Sequence, residues 1–228
     1  MKFALASFII AAVLLAVAPP SASAANPTAP APPGFVLQPL HFQVQHPYDL
    51  PLGERYAYDP ATDTHDLWVL DTDKPHDPPP NKTEPRTELR LIDDGYRPGS
   101  GLHMMDCDLF IVPGTFACIS QVFGTGPMCI IIVDQSGTIS DLRTHGVIAR
   151  DMNAKWFHWT LVHDPSATGP GAVKVYVDGK LASDRIAGKK QDSYYFKIGV
   201  YSRKGSERNE VKVRNLRYLI APPKAAGD

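Results

Sequence analysis

Three short stretches carry residues whose types and spacing could do chemistry. In Arg86-Thr87-Glu88-Leu89-Arg90-Leu91, charged and apolar side chains alternate. Successive side chains of an extended chain point to opposite faces, so Arg86, Glu88 and Arg90 share one face and Thr87, Leu89 and Leu91 the other. Tyr194-Tyr195-Phe196-Lys197-Ile198-Gly199-Val200-Tyr201 repeats the design. Phe196, Ile198 and Val200 form an apolar back; Tyr195, Lys197, Gly199 and Tyr201 form a polar front. The third stretch is Gln121-Val122-Phe123, which closes a run from Phe116. Alternation there puts Ser120 and Val122 on one side, and Ile119, Gln121 and Phe123 on the other.

Side by side in one sheet, these faces would gather three cations (Arg86, Arg90, Lys197), the carboxylate of Glu88, the amide of Gln121 and the phenol of Tyr201. That set suits a carboxylate. A guanidinium meets a carboxylate with a planar two-pronged fork, and Gln121 can donate to the same group. Glu88 is read as a buttress for the arginines, because an unpaired carboxylate would oppose an anionic ligand. The competing reading is three unrelated strands with solvated ion pairs.

The elements that must position these residues are strands. Leu67 to Leu70, Leu102 to Val112, Trp156 to His163 and Val211 toward Ile220 all read as extended. Met128 to Val133 is almost wholly apolar, which predicts a central strand covered on both faces. Ala172 to Leu181 is a hairpin whose Asp178-Gly179 supplies a type I′ turn. Phe35 to Tyr48 contains short extended pieces, and Asp71 to Glu84 is a Pro-rich loop. Short strands, regular turns and no convincing helix beyond the leader predict an all-β, antiparallel two-sheet β-sandwich, with a jelly roll the natural candidate.

Composition narrows the function classes. The chain has 228 residues, 43% hydrophobic and 21% charged, with a formal net charge of −1. That supports one sizeable core and gives no basic field for nucleic acid. Residues 1–24 read as a secretory signal peptide, with Lys2, an apolar core from Ala4 to Val17, and Ala22-Ser23-Ala24 as the cleavage site. No second apolar span follows, so no membrane anchor is expected. Residues 25–34 read as a Pro/Ala-rich disordered lead-in, 35–221 as the folded domain and 222–228 as a tail. Cys107, Cys118 and Cys129 are an odd count, so at most one internal pair forms, or all are buried thiols. Their spacing does not suit zinc, and no Gly-rich phosphate loop occurs, so neither metal nor cofactor is expected. Asn81-Lys82-Thr83 is an N-glycosylation sequon. A monomer is the default.

The three stretches resemble the signature strands of the alginate lyase 2 superfamily, which includes polysaccharide lyase family 7. The likeness keeps their order and spans about residues 35–220. It implies a concanavalin-like jelly roll. In the lyase mechanism it implies, Arg86 and Gln121 would neutralise a uronate carboxylate while Tyr201 handles protons during β-elimination. The departure is Phe123, which stands where the lyases carry a His that shares the proton transfer. Tyr201 could serve as both base and acid if neighbouring cations favour its phenolate. His103 and His145 are candidate replacements for the imidazole, though nothing in the sequence brings either to the patch. His158 and His163 read as packing or surface residues.

A closer resemblance, to the plant citrate-binding proteins of that superfamily, rests on Pro47-Tyr48-Asp49, Leu50-Pro51-Leu52, Glu54-Arg55-Tyr56, Leu67-Trp68-Val69, Asp73-Lys74-Pro75-His76, Gln121-Val122-Phe123-Gly124 and Lys174 to Gly179. It implies a secreted, cell-wall or vacuolar plant protein, glycosylated at Asn81. It further implies a binder of a small carboxylate such as citrate, or of an acidic polysaccharide. The ligand-binding set would be Arg86, Glu88, Arg90, Gln121, Phe123, Tyr195, Lys197 and Tyr201, in a concave cationic groove. A polyuronate lyase using Tyr201, Gln121 and Arg86 is the alternative.

Overall fold

The computed structural model describes residues 31–91, 95–169, 171–186 and 188–223. The expected signal peptide, the lead-in before residue 31 and the tail from residue 224 lie outside the described residues. Residues 31–34 precede the first strand in a turn, where the Phe35 N–H donates to the Pro32 carbonyl at 3.0 Å.

The regular elements among the described residues are strands, apart from one 3-10 turn at Leu52–Glu54. The strands are β1 (Val36–Gln38), β2 (Phe42–Gln45), β3 (Tyr56–Asp59), β4 (Thr64–Leu70), β5 (Arg86–Leu91), β6 (Leu102–Ile111), β7 (Ala117–Phe123), β8 (Pro127–Val133), β9 (Ile139–Asp141), β10 (Val147–Ala149), β11 (Trp156–Asp164), β12 (Ala172–Val177), β13 (Lys180–Ile186), β14 (Tyr195–Ser202) and β15 (Arg208–Ala221). One sheet runs β13-β12-β11-β6-β15-β4-β3, with β1 paired to β15. The other runs β10-β9-β8-β7-β14-β5-β2. Every strand pairing is antiparallel.

The core lies between the sheets and follows the expected alternation. Leu89 of β5 and Phe196, Ile198 and Val200 of β14 are buried against Leu67, Met105, Trp159, Val211 and Val213 of the opposite sheet. Removing that much apolar surface from water is the main stabilising term, at about 25 cal/mol per Å². The indole N–H of Trp159 crosses the core to donate to Ser120 Oγ at 3.4 Å, so the hydroxyl on the inner face has a partner. In the β12–β13 hairpin, Asp178 and Gly179 both take positive φ, 49° and 73°, as a type I′ turn requires.

Two expectations about faces are corrected. Ile119 does not share a face with Gln121; it is fully buried in the core. The β7–β8 register shifts between Cys118 and Ser120, and this bulge turns Ile119 inward. Nor is β8 covered on both faces: Ile130 and Ile132 stay half-buried because they point to the outer side of their sheet. All three cysteines are buried and free, the thiol alternative that the odd count left open.

Candidate functional site

The seven-stranded sheet brings the three stretches together. β5 and β14 are neighbours, with Arg86 opposite Tyr201, Glu88 opposite Gly199 and Arg90 opposite Lys197. β7 flanks β14 on its other side, with Gln121 opposite Lys197 and Phe123 opposite Tyr195. Since Phe196, Ile198 and Val200 fill the core, the intervening side chains of all three strands share the outer face.

Close approach of β14 to β5 depends on Gly199. Its φ is +144°, and a Cβ there would lie 2.4 Å from the Thr87 carbonyl oxygen and 2.7 Å from Glu88 Cα. Only glycine tolerates both the dihedral and the contact. The bare backbone leaves Glu88 room to lie between its neighbours.

Glu88 sits at the centre of a buried polar chain. It is inaccessible to solvent, as very nearly are Lys197, at 2% exposure, and Gln121, at 4%. Gln121 Nε2 donates to Glu88 Oε1 at 2.5 Å, and Lys197 Nζ donates to Glu88 Oε2 at 3.1 Å. Lys197 donates again to Gln45 Oε1 at 2.6 Å. Burial lowers the Lys197 pKa, and the Glu88 carboxylate partly offsets that. Glu88 therefore buttresses Lys197 more closely than the arginines; the nearest Arg86 contact is 3.8 Å, from Nη1 to Oε2.

The arginines lie against aromatic rings. Arg86 Cζ is 4.4 Å from the Tyr201 ring centroid, and Arg90 Cζ is 4.2 Å from that of Tyr195. Both distances are in cation–π range. Phe123 takes a related role: Lys197 Nζ is 5.3 Å from its centroid, and the Phe123 and Tyr195 rings are 5.6 Å apart. Burial raises the Tyr195 pKa, against the lowering effect of Arg90. Tyr201 is fixed at its tip, where its hydroxyl accepts the Glu84 N–H at 3.4 Å.

Beside this cluster is a pocket of about 410 Å³, lined among others by Tyr201, Gln121, Cys118, Ile130, Arg203 and Lys204. The sequence reading missed several of these groups. Gln45 and its neighbour Gln43 alternate with Phe42 and Val44, a pattern visible in the sequence but too short to assign to this sheet. Arg203 and Lys204 follow the end of β14, where periodicity carries no information. Cys118 reaches the pocket only because of the β7 bulge.

The four histidines singled out in the sequence lie elsewhere. His103 and His163 are buried inside the sandwich, joined to Tyr218 and Tyr96 by contacts of 2.6 and 3.0 Å. His145 is in the exposed turn between β9 and β10, with φ 56°. His158 is on the opposite sheet and does more than pack: Nε2 is 2.9 Å from Asp106 and Nδ1 is 3.1 Å from Asp108. None of the residues lining the 410 Å³ pocket is a histidine. Among the described residues no cluster of His, Cys, Asp and Glu could hold a metal ion. Asn81 stands in the β4–β5 loop, its amide donating to Asp77 at 3.0 Å.

With this geometry in place, comparison with known proteins decides the family. No protein-family model matches the chain. The chain is 30% identical over 206 residues to a citrate-binding protein of Hevea brasiliensis, covering 85% of this chain and 81% of that one. The chain belongs to the citrate-binding protein family. Solved structures extend the likeness at the level of fold. An alginate lyase of polysaccharide lyase family 7 matches with a TM-score of 0.61 at 16% identity, over 78% of this chain and 93% of that one. An alginate lyase from Corynebacterium sp. gives 0.58 at 17% identity, over 74% and 82%. An endo-β-1,4-glucuronan lyase from Trichoderma reesei gives 0.52 at 11% identity, over 83% and 95%. The citrate-binding protein family member described here thus has the jelly roll of the alginate lyases, as the three strand motifs implied.

Proposed function

We propose that the outer face of the seven-stranded sheet binds carboxylates, either citrate or the uronate units of an acidic polysaccharide, without cleaving them. The observation that carries this reading is the position of Phe123. Its ring packs near the Lys197 ammonium and against Tyr195, where the resembled lyases carry a proton-transferring His. A phenyl ring can hold a cation but cannot move a proton. Arg86 and Arg90 remain, and their guanidinium groups are the ones that would neutralise a carboxylate, while the amide of Gln121 is held by Glu88. The name of the Hevea relative supports the same ligand class. In this reading the face forms a cationic groove, the protein is exported or vacuolar, and Asn81 bears a glycan.

A second reading, a polyuronate lyase, has one observation in its favour: Tyr201 and Gln121 line the same pocket. Tyr201 would then act alone as base and acid. One experiment separates the two. The purified mature protein is offered alginate, glucuronan and polygalacturonate, and the ultraviolet absorbance of the unsaturated sugar end is followed. A carboxylate binder gives no rise on any polymer but saturable heats with citrate or oligouronates. A rise that vanishes in Tyr201→Phe makes the protein an enzyme.

A further inference from the structure

Resting on the carboxylate-binding reading, we infer that the binding face continues into the pocket beside Tyr201, and that this pocket selects carboxylic acids carrying an apolar alkyl or aryl body. The pocket, of about 410 Å³, has two unlike walls. Phe116, Cys118, Ile130 and Leu142 form an apolar one; Tyr201, Arg203, Lys204 and Glu84 belong to a polar one. Its volume falls in the range of about 300–1,000 Å³ usual for small-molecule sites.

The apolar wall is built into the sheet. The β7 bulge that turns Ile119 into the core brings Cys118 to the outer face. There Cys118 pairs across the ladder with Tyr201 on one side and Ile132 on the other. The Leu142 N–H donates to the Ile130 carbonyl at 2.9 Å, which clamps the segment after β9 against β8. The Phe116 carbonyl accepts the Arg203 N–H at 3.1 Å, so the aromatic end of one wall is tied to the cationic end of the other. Walls held in this way need little ordering when a ligand arrives. A hydroxyl pressed against the apolar wall would lose its water and find no partner. A methylene group placed there gains about fourfold in affinity when buried.

The polar wall supplies the complementary end. Arg203 and Lys204 bring two cations to the pocket, against one carboxylate, that of Glu84, 3.8 Å from Lys204 Nζ. Arg86 adds to the field from over the Tyr201 ring. Arg203 has no carboxylate partner among the described residues; its Cζ lies 5.3 Å from the Phe116 ring centroid. The Tyr201 hydroxyl accepts the Glu84 N–H, which leaves its own proton to donate. A carboxylate head therefore meets an excess of positive charge and a hydroxyl donor at one wall. The rest of such a ligand faces Ile130, Leu142, Cys118 and Phe116, where carbon is favoured over oxygen.

The test is titration of the folded mature protein with acetate, butyrate, hexanoate and phenylacetate, beside gluconate and citrate, read by calorimetry and by methyl-group NMR shifts. Gluconate matches hexanoate in carbon count and charge but carries hydroxyls along its tail. We expect affinity to rise about tenfold or more from butyrate to hexanoate, and hexanoate to exceed gluconate by at least as much. The methyl signals of Ile130 and Leu142 should shift. Ile130→Asn should flatten the dependence on chain length, whereas Arg203→Gln should weaken every acid alike and leave that dependence intact. The methyl shifts of the unaltered protein decide the matter should a variant fail to fold. Affinities that do not change with chain length, alongside saturable citrate binding, would overturn the inference and leave the carboxylate reading standing. So would shifts confined to Met104 and Val162, which line a separate groove on the opposite sheet. Absence of saturable binding by every acid in the set would remove the carboxylate reading itself.

Discussion

Lys197 Nζ lies 5.3 Å from the centroid of the Phe123 ring, with Gln45 and Glu88 as its polar partners. The ammonium is thus bounded by two acceptors and an aromatic face, and burial has already lowered its pKa. The quadrupole of a ring contributes more to a desolvated cation than to an exposed one, about 1–2 kcal/mol. Phe123→Leu keeps apolar bulk and removes the quadrupole. It should lower the unfolding free energy by about 1 kcal/mol in urea denaturation. An unchanged midpoint would mean that the ring only fills space.

Replacing the same ring by an imidazole tests the chemistry. Phe123→His would set a proton-transfer group on the face that already holds Arg86, Gln121 and Tyr201. General acid–base groups contribute typically 10²–10⁴-fold to rate. A wild-type protein silent on polyuronates should therefore gain slow cleavage, seen as rising ultraviolet absorbance. Adding Tyr201→Phe should abolish the gain. No gain in a folded variant would mean that more than the imidazole separates this site from catalysis.

The join between β5 and β14 depends on a residue without a side chain. Gly199→Ala would force a methyl group into the Thr87 carbonyl at 2.4 Å and demand a φ of +144° from an L-residue. Strained backbone of this kind costs about 1–3 kcal/mol before the clash is counted. We expect a loss of about 3 kcal/mol or more, together with the binding face. A variant of wild-type stability would show that β14 can shift away from β5.

Histidine burial shapes the dependence of stability on pH. Burial depresses His103 to about 4 and His163 to about 3. Their unfolded value lies near 6.5, so below it the unfolded chain binds more protons than the folded one. Their contribution is complete above about 6.5 and is lost progressively as pH falls through 4 and then 3. His158 has the opposite sign. Hydrogen bonds from its ring to Asp106 and Asp108 raise it to about 9. Its contribution is complete below about 6.5 and is lost as pH rises through 9. Urea midpoints should therefore peak near pH 6.5 and fall on both sides. His158→Gln should flatten the alkaline limb alone. An alkaline limb unchanged in that variant would show that the Asp106–His158–Asp108 bridge does not stabilise the fold.

The binding face was legible in the sequence where strands alternate cleanly. The pattern of Arg86 to Leu91 and of Tyr195 to Tyr201 has one possible sense once an apolar face must be buried, because a slip of one residue would expose it. Gly199 was legible only as a gap in the polar face; its φ and its contact with Thr87 belong to the pairing of two strands more than 100 residues apart in sequence. Ile119 was misread because a bulge leaves no mark on a hydrophobic pattern: an apolar residue is correct on either side of it. Gln45 was missed because β2 is four residues long and its partner β5 is remote. His158 was read as packing or surface, since the two aspartates that hold it come from β6, a separate strand.

Glu88 carries a consequence that separates support from binding. It is a carboxylate on a face proposed to bind carboxylates, and on charge alone its removal would help an anionic ligand. The buried pair argues otherwise. Lys197 is 2% exposed and has Glu88 as its counter-charge at 3.1 Å. Removing one member of a buried pair leaves an uncompensated charge and typically costs about 3–5 kcal/mol. Glu88→Gln should therefore destabilise the protein by an amount of that order, or shift Lys197 toward its neutral form. Glu88→Gln with Lys197→Met should recover most of the loss, because no buried charge remains. Citrate binding should survive in the double variant, since Arg86 and Arg90 keep their tyrosines. Loss of binding in a stable double variant would instead place Lys197 among the groups that touch the ligand.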